Sequence, residues 1–185
     1  MKTVTQISAL FHDFEAPHDD NHVDGHVGFK GCSSKRSTAL LLATNSSKNN
    51  GSRMQLQKKI GIEDEKKMLD EYEKKYGKIV TRRNEEIQEY KFQVDDKVFT
   101  VTGKVDGIVE EDSTIIEHKR RIRGLLHRVP FHEKVQCYLY MRMFKMNNVN
   151  LIETFGDHMD IHELNFDEAT WNRICSRLYM LSDFV

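Results

Sequence analysis

The 185-residue sequence predicts an α/β fold in which a central mixed β-sheet is flanked by helices. Three observations carry this. Apolar residues recur at helical spacing from about Met54 to Gly77, and residues 90–119 alternate as strands do. Pro130 then opens a second helical stretch, which a hairpin pattern and a closing helix follow.

Residues 1–52 read as a separate N-terminal segment, partly loop or helical, ending in the loop-like NSSKNNGS at 45–52, and 53–185 read as the folded core. The first core helix, RMQLQKKIGIEDEKKMLDEYEKKYGK, stops at Gly77, a natural cap behind two lysines. YKFQVD at 90–95 and the run 97–109 read as strands, with Asp95-Asp96 turning between them. A strand at 114–119 pairs back through a turn centred on Glu111-Asp112. That register sets Glu110 against Ser113, Val109 against Thr114 and Asp106 against Glu117. RRIRGLLHRVP is a basic connector, and the Pro130 helix runs to about Met146. Asn147 to Asn150 interrupt it. VNLIETFG and MDIHELNF form a hairpin around Gly156-Asp157, and FDEATWNRICSRLYMLSDF closes the chain as an amphipathic helix with Asp167 as N-cap.

Apolar residues make up 38% of the chain and charged residues 31%, with a formal net charge of −1, so any nucleic-acid footprint must be local. No apolar run approaches the roughly 20 residues of a membrane span. The opening MKTVTQISALFHDFEAPHDD turns acidic after a brief apolar patch and does not read as a signal peptide. Cys32, Cys137 and Cys175 stand far apart, in neither a disulfide framework nor a CxxC motif, which fits a reducing intracellular setting.

The hairpin VTGKVDGIVEEDSTIIEHK at 101–119 carries charge where a plain core hairpin would not. Glu117 and Lys119 share a face, and the register sets Asp106 opposite Glu117, with Cβ atoms about 5 Å apart. Two carboxylates that close repel, and a hard divalent cation such as Mg²⁺ removes that cost. Lys119 can neutralise phosphate charge or orient and deprotonate a water, and Gly103 leaves room for close backbone approach. A solvated charged face is the alternative, but here both apolar strands run straight into the charges.

On the first helix, Glu65 falls with Met68, Leu69, Tyr72 and Tyr76 on the apolar stripe, whereas Glu63 groups with Lys66, Lys67 and Asp70 on the wet face. An inward acid needs a partner, and a cation site supplies one. From Lys119 to Arg128 run five Lys/Arg with no acid, a natural place for phosphate contacts through Arg120, Arg121, Arg123 and Arg128; a solvated basic loop is the other reading. On the Pro130 helix, Gln136 and Tyr140 share a face, placed to hydrogen-bond or stack on nucleic acid, though Tyr140 also suits a core. His12, His18, His22 and His26 crowd four Asp between 12 and 26; His22-x-x-x-His26 would suit zinc on a helix, but Pro17 and Gly25 oppose a helix, and a polar segment is the alternative.

Gly103-x-x-Asp106, Glu117-x-Lys119 and Gln136-x-x-x-Tyr140 together resemble the PD-(D/E)XK nucleases, and more narrowly the RecB-like and lambda-exonuclease (YqaJ-like viral recombinase) branch. Gly61-Ile-Glu-Asp-Glu65 matches the helix motif of that branch. The resemblance covers about residues 54–146 and implies a restriction-endonuclease-like core and a Mg²⁺- or Mn²⁺-dependent nuclease. It implies Glu65, Asp106 and Glu117 as metal-site acids, with the backbone carbonyl of His118 also facing the ion. Lys119, with Gln136, is implied in catalysis alongside Asp106 and Glu117. Val105 stands where many relatives have Pro, and the cysteines that hold an iron–sulfur cluster in some relatives are absent, so no cluster is expected.

The expected function is therefore cleavage of DNA by an exonuclease or structure-selective nuclease of viral, phage or repair type. The alternatives are a viral RNA endonuclease of the cap-snatching kind, which the N-terminal histidines favour and Gln136-x-x-x-Tyr140 disfavours, and a non-cutting nucleic-acid-binding protein on the same scaffold.

Overall fold

A computed structural model describes residues 2–9, 11, 50–83, 85 and 87–181. The elements are β1 (Lys2–Thr3), α1 (Val4–Ala9), α2 (Asn50–Tyr76), β2 (Gln88–Val94), β3 (Lys97–Gly103), β4 (Gly107–Val109), β5 (Thr114–Arg120), α3 (Phe131–Phe144), β6 (Asn148–Phe155), β7 (His158–Asn165) and α4 (Glu168–Leu181). The chain divides into two compact units, residues 17–60 and the remainder, and the architecture below concerns the latter.

The central sheet is mixed and flanked by helices, as the sequence predicts. Its order is β4-β5-β6-β7, with β5 and β6 parallel and both outer pairs antiparallel. Its middle strands are covered on both faces, which explains why they read as apolar runs. One face turns Ile108, Ile115, Val149 and Leu151 into a core shared with Val135 and Leu139 of α3 and Trp171, Ile174 and Leu178 of α4. The other turns Val109, Ile116 and Ile152 onto Met68, Leu69 and Tyr72 of α2. The 3.6-residue stripe of α2 is therefore inward as the sequence indicates at Met68, Leu69 and Tyr72, whereas Tyr76, in the last turn, is exposed.

Helix ends follow local chemistry. Gly77 takes φ +65 and its N–H returns to the Glu73 carbonyl at 2.8 Å, closing α2 with a left-handed cap. Asp167 caps α4, its Oδ1 accepting the Thr170 N–H at 2.7 Å. The Pro130 helix ends at Phe144 because Lys145 turns left-handed at φ 55.

The run 97–109 is not one strand. β3 pairs antiparallel with β2 and parallel with β1 in a separate three-stranded sheet, and the chain changes sheets at residues 104–106. Two glycines flank the crossing and both lie in tight places. A Cβ at Gly103 would stand 2.8 Å from both Tyr140 Cε1 and Val4 Cγ2, and one at Gly107 would stand 2.3 Å from Val80 Cγ1. The paired register is the expected one, Val109 with Thr114 and Gly107 with Ile116, but the ladder ends there. Asp106 is therefore freed from pairing with Glu117.

Residues 2–9 and 11, which gave no clear sequence signal, complete the core. Lys2 and Thr3 pair with Val101 and Thr102, and Val4, Ile7 and Phe11 are buried against β3 and α3. His12, His18, His22 and His26 lie outside the described residues.

Candidate active site

The sheet change delivers Asp106 to the side of β5. Its Oδ2 accepts the backbone N–H of His118 at 2.7 Å. N–H and C=O of one strand residue point to the same edge, so the His118 carbonyl faces the Asp106 side as well. Glu117 stands next in the strand, only 4% exposed, on the face toward α3.

One oxygen of Glu117 is held twice. Its Oε1 accepts Lys119 Nζ at 2.7 Å and Gln136 Nε2 at 2.8 Å. The Gln136 carbonyl oxygen accepts Lys119 Nζ at 2.8 Å, and its amide lies 3.2 Å from the Tyr140 hydroxyl. The other oxygen, Glu117 Oε2, is buried and has no hydrogen-bond partner. Because an unpaired buried carboxylate oxygen is costly, this atom calls for a further positive or donor group.

Glu65 of α2, Asp106, Glu117, Lys119, Gln136 and Tyr140 line a cleft of about 480 Å³, together with His118, Lys104, Thr102, Gly103, Val4 and Ile87. Electrostatics couple its acids. Burial, with Glu117 and Glu65 nearby, pushes the Asp106 carboxyl well above the usual range despite the His118 N–H. Burial and then Glu117 raise Glu65, with Lys104 opposing them. Burial works against the Lys119 ammonium, but the charge and hydrogen bond of Glu117 outweigh it and hold its pKa above the ordinary value. Lys119 is thus a cation here, suited to electrostatic work more than to taking a proton. Burial and Glu117 also raise Tyr140. The His118 ring, pushed down to about 4 chiefly by burial, is neutral at physiological pH and bonds Thr154 Oγ1 at 2.8 Å.

The donor set fits a hard divalent cation. Three carboxylates meet at one cleft, one buried oxygen lacks a partner, and the acids raised by burial first and by one another second would be relieved of both costs by a cation. Sequence reasoning singled out all of these residues. It did not single out Lys104, Thr102, Ile87 or Val4, which reach the cleft through β3, the residues before β2 and the N-terminal pairing.

The basic residues divide. Arg123 and Arg128 are exposed on the connector, and Arg120 is 59% exposed while pairing with Asp64 at 2.9 Å. Arg121 lies inward. Its guanidinium forks onto both Glu133 oxygens at 2.6 and 2.8 Å and gives Nε to Glu153 Oε2 at 2.7 Å. Its donors are spent inside the fold, where sequence reasoning placed it among phosphate contacts. Arg121→Ala is accordingly expected to cost about 3–5 kcal/mol, because two buried carboxylates lose their cation. Urea unfolding reads that loss. Arg123→Ala should instead leave stability alone, and Arg123→Ala and Arg128→Ala should each lower the slope of log affinity against log salt by up to about 0.9 on duplex DNA.

No family model and no curated protein matches the chain. Among solved structures the chain is similar to SSO0001, at 22% identity and TM-score 0.49 over 66% of this chain and 58% of that one. It is also similar to the alkaline exonuclease LHK-Exo of Laribacter hongkongensis, at 15% identity and TM-score 0.45 over 62% and 60%. A third is a phage-related exonuclease of Haemophilus somnus 129PT, at 13% identity and TM-score 0.48 over 68% and 72%. The aligned part of the chain spans about three fifths of the length of the first two. The functional reading therefore rests on the cleft itself.

Proposed function

We propose that the chain is a divalent-metal-dependent nuclease that hydrolyses phosphodiester bonds of DNA, as an exonuclease or structure-selective nuclease in viral or phage replication, recombination or repair. The observation that carries this is the buried, unpartnered Glu117 Oε2, set in a cleft with Asp106 and Glu65 while Lys119 and Gln136 fix the other Glu117 oxygen. Glu65, Asp106, Glu117 and the His118 carbonyl would hold Mg²⁺ or Mn²⁺. When bound, the ion supplies Lewis-acid stabilisation of phosphate charge and lowers the pKa of a water.

The chain's own residues do the rest. Gln136 ties Glu117 and Lys119 together, so carboxylate and ammonium keep their places when substrate arrives. Lys119 sets a positive charge where negative charge develops on the phosphate. Tyr140 supports the Gln136 amide from behind, and the close packing of Gly103 on Tyr140 and Val4 holds that wall. Arg120, Arg123 and Arg128 are placed for backbone phosphates. Action on nucleic acid inside the cell also agrees with Cys137 and Cys175 being free thiols.

Incubation with linear duplex, single-stranded and circular DNA and with RNA, in Mg²⁺, Mn²⁺ or EDTA, tests this. Cleavage of linear DNA that EDTA abolishes is expected. Cleavage confined to RNA would select the cap-snatching alternative, and binding without any cleavage would select the non-cutting one.

The α2 acids give a paired control. Glu63 is exposed, whereas Glu65 lines the cleft and is coupled to Glu117. Glu65→Gln is expected to abolish or greatly reduce cleavage with the fold intact, and Glu63→Gln to leave it nearly unchanged. Initial rates beside circular dichroism decide; the reverse pattern would refute the assignment.

A further inference from the structure

A second cluster of metal-type ligands lies apart from the cleft, where the connector meets the β6–β7 hairpin. His127 Nδ1 stands 3.1 Å from Asp160 Oδ2, and His162 Nε2 stands 2.9 Å from Glu153 Oε1 and 3.9 Å from Asp160 Oδ2. Ligand atoms of His127, Glu153 and Asp160 all lie within 4.8 Å of one another. We propose that His127, Glu153, Asp160 and His162 form a second, structural cation site that takes a transition metal of the zinc class.

Ligand spacing supports this. Tetrahedral Zn²⁺ with bonds of about 2.0–2.1 Å spaces its ligand atoms about 3.3 Å apart. Three of the six separations among the four residues are 2.9, 3.1 and 3.9 Å, and the His127, Glu153 and Asp160 atoms all lie within 4.8 Å, so small side-chain shifts close the set on an ion. Two imidazoles with two carboxylates suit zinc or cobalt, whereas all-oxygen sets suit magnesium. The chain also fixes the ligands before any ion arrives. Asp160 and Glu153 are register partners on β7 and β6, and His162 follows Asp160 by two on the same face. Glu153 is fully buried, and the backbone N–H groups of Leu126 and His127 and the Nε of Arg121 orient it, as outer-shell donors orient metal carboxylates. The His127 N–H bond to Glu153 also accompanies a left-handed backbone, φ 54, that a non-glycine residue adopts only when its surroundings hold it.

Charge points the same way. Arg121, Glu133, Glu153 and Asp160 carry a net −2 when the imidazoles are neutral; His132 stands 3.8 Å from Glu133, and the Lys119 ammonium on the neighbouring strand also acts on Glu133. One divalent cation balances that. It would displace the His162 hydrogen bond from Glu153 Oε1 and keep the His127 N–H. Its effect would be to pin the connector to the hairpin and so fix where Arg123 and Arg128 stand. The competing account is that two imidazolium rings form plain ion pairs with Asp160 and Glu153.

The test uses the full chain carrying Asp106→Asn and Glu117→Gln, so that the cleft cannot hold the probe. Chelator-treated protein is titrated with Co²⁺ and followed by visible absorption, then challenged with Zn²⁺ and with Mg²⁺. One equivalent is expected, with the intense bands of tetrahedral cobalt, displaced by Zn²⁺ and not by Mg²⁺. Hydrogen exchange across 121–130 should slow when Zn²⁺ is added. In the same background, His127→Ala, an exposed side chain, and Asp160→Asn should each weaken binding by more than about tenfold, at least what losing an outer-shell partner costs. No tetrahedral band, or a band unchanged by His127→Ala, would overturn the proposal, the first in favour of ion pairs and the second in favour of histidines elsewhere in the chain.

Discussion

Lys119→Ala is expected to slow single-turnover cleavage about 100- to 1,000-fold while leaving the protein folded, the scale of losing one electrostatic donor aimed at developing charge. The proposed role and the hydrogen bonds around Lys119 are the reason to expect the loss in chemistry. Lys119 Nζ bridges Glu117 Oε1 and Gln136 Oε1, and removing it leaves Glu117 Oε1 still bonded to Gln136 Nε2. The carboxylate keeps its place, so Mn²⁺ affinity should hold or rise once a nearby positive charge is gone. Nucleic-acid affinity should fall only modestly, because one contact among several is lost. Glu117→Ala should behave differently and weaken Mn²⁺ binding itself. Single-turnover rates beside Mn²⁺ titrations of both proteins separate the roles. A folded Lys119→Ala protein cutting at the parental rate would leave the cluster an ordinary charged face.

What the sequence shows and what it hides divides along the range of the forces involved. The Gly77 and Asp167 caps, the turns at Asp95-Asp96 and Gly156-Asp157, and the register of Val109 with Thr114 depend on neighbours a few residues apart, and all are legible. Glu65 is legible because one helix phase fixes its face. The break at 104–106 is not legible, because Val105 and Ile108 look the same in one strand or two; β3 leaves for another sheet through pairing with β1 and β2, at long range. Arg121 is hidden for the same reason. A basic run shows its charge, but not that Glu133 and Glu153, 12 and 32 residues further on, turn toward one member of it. A buried acid in an apolar strand, as in LIETF at 151–155, was the signal available for that network.

Asp106→Asn is expected to abolish cleavage while making the metal-free protein more stable. Burial makes Asp106 costly to charge, and Glu117 and Glu65 facing the same cleft repel it further when no cation is present, which is why its carboxyl sits well above the usual range. Its folded pKa being raised, ionising it opposes folding, so apo stability from this group is full below its unfolded pKa and is lost as pH rises through the folded one. Asparagine removes the charge but keeps a side-chain oxygen for the His118 N–H, so the bend between β3 and β4 should survive. In EDTA at neutral pH the variant should melt higher, by about 2–4 °C per kcal/mol of relieved repulsion for a chain of this size. Millimolar Mn²⁺ should raise the parental Tm by binding only the folded state, and that rise should shrink in the variant. Cleavage should fall by about 1,000-fold or more, since metal-derived charge stabilisation is worth several kcal/mol and each 1.36 kcal/mol is tenfold. Thermal melts of both proteins, with EDTA and with Mn²⁺, read the stability half, and a linear-duplex assay reads the other. A variant that melts lower in EDTA, or that keeps the full Mn²⁺ shift, would mean that Asp106 serves the fold and not a cation.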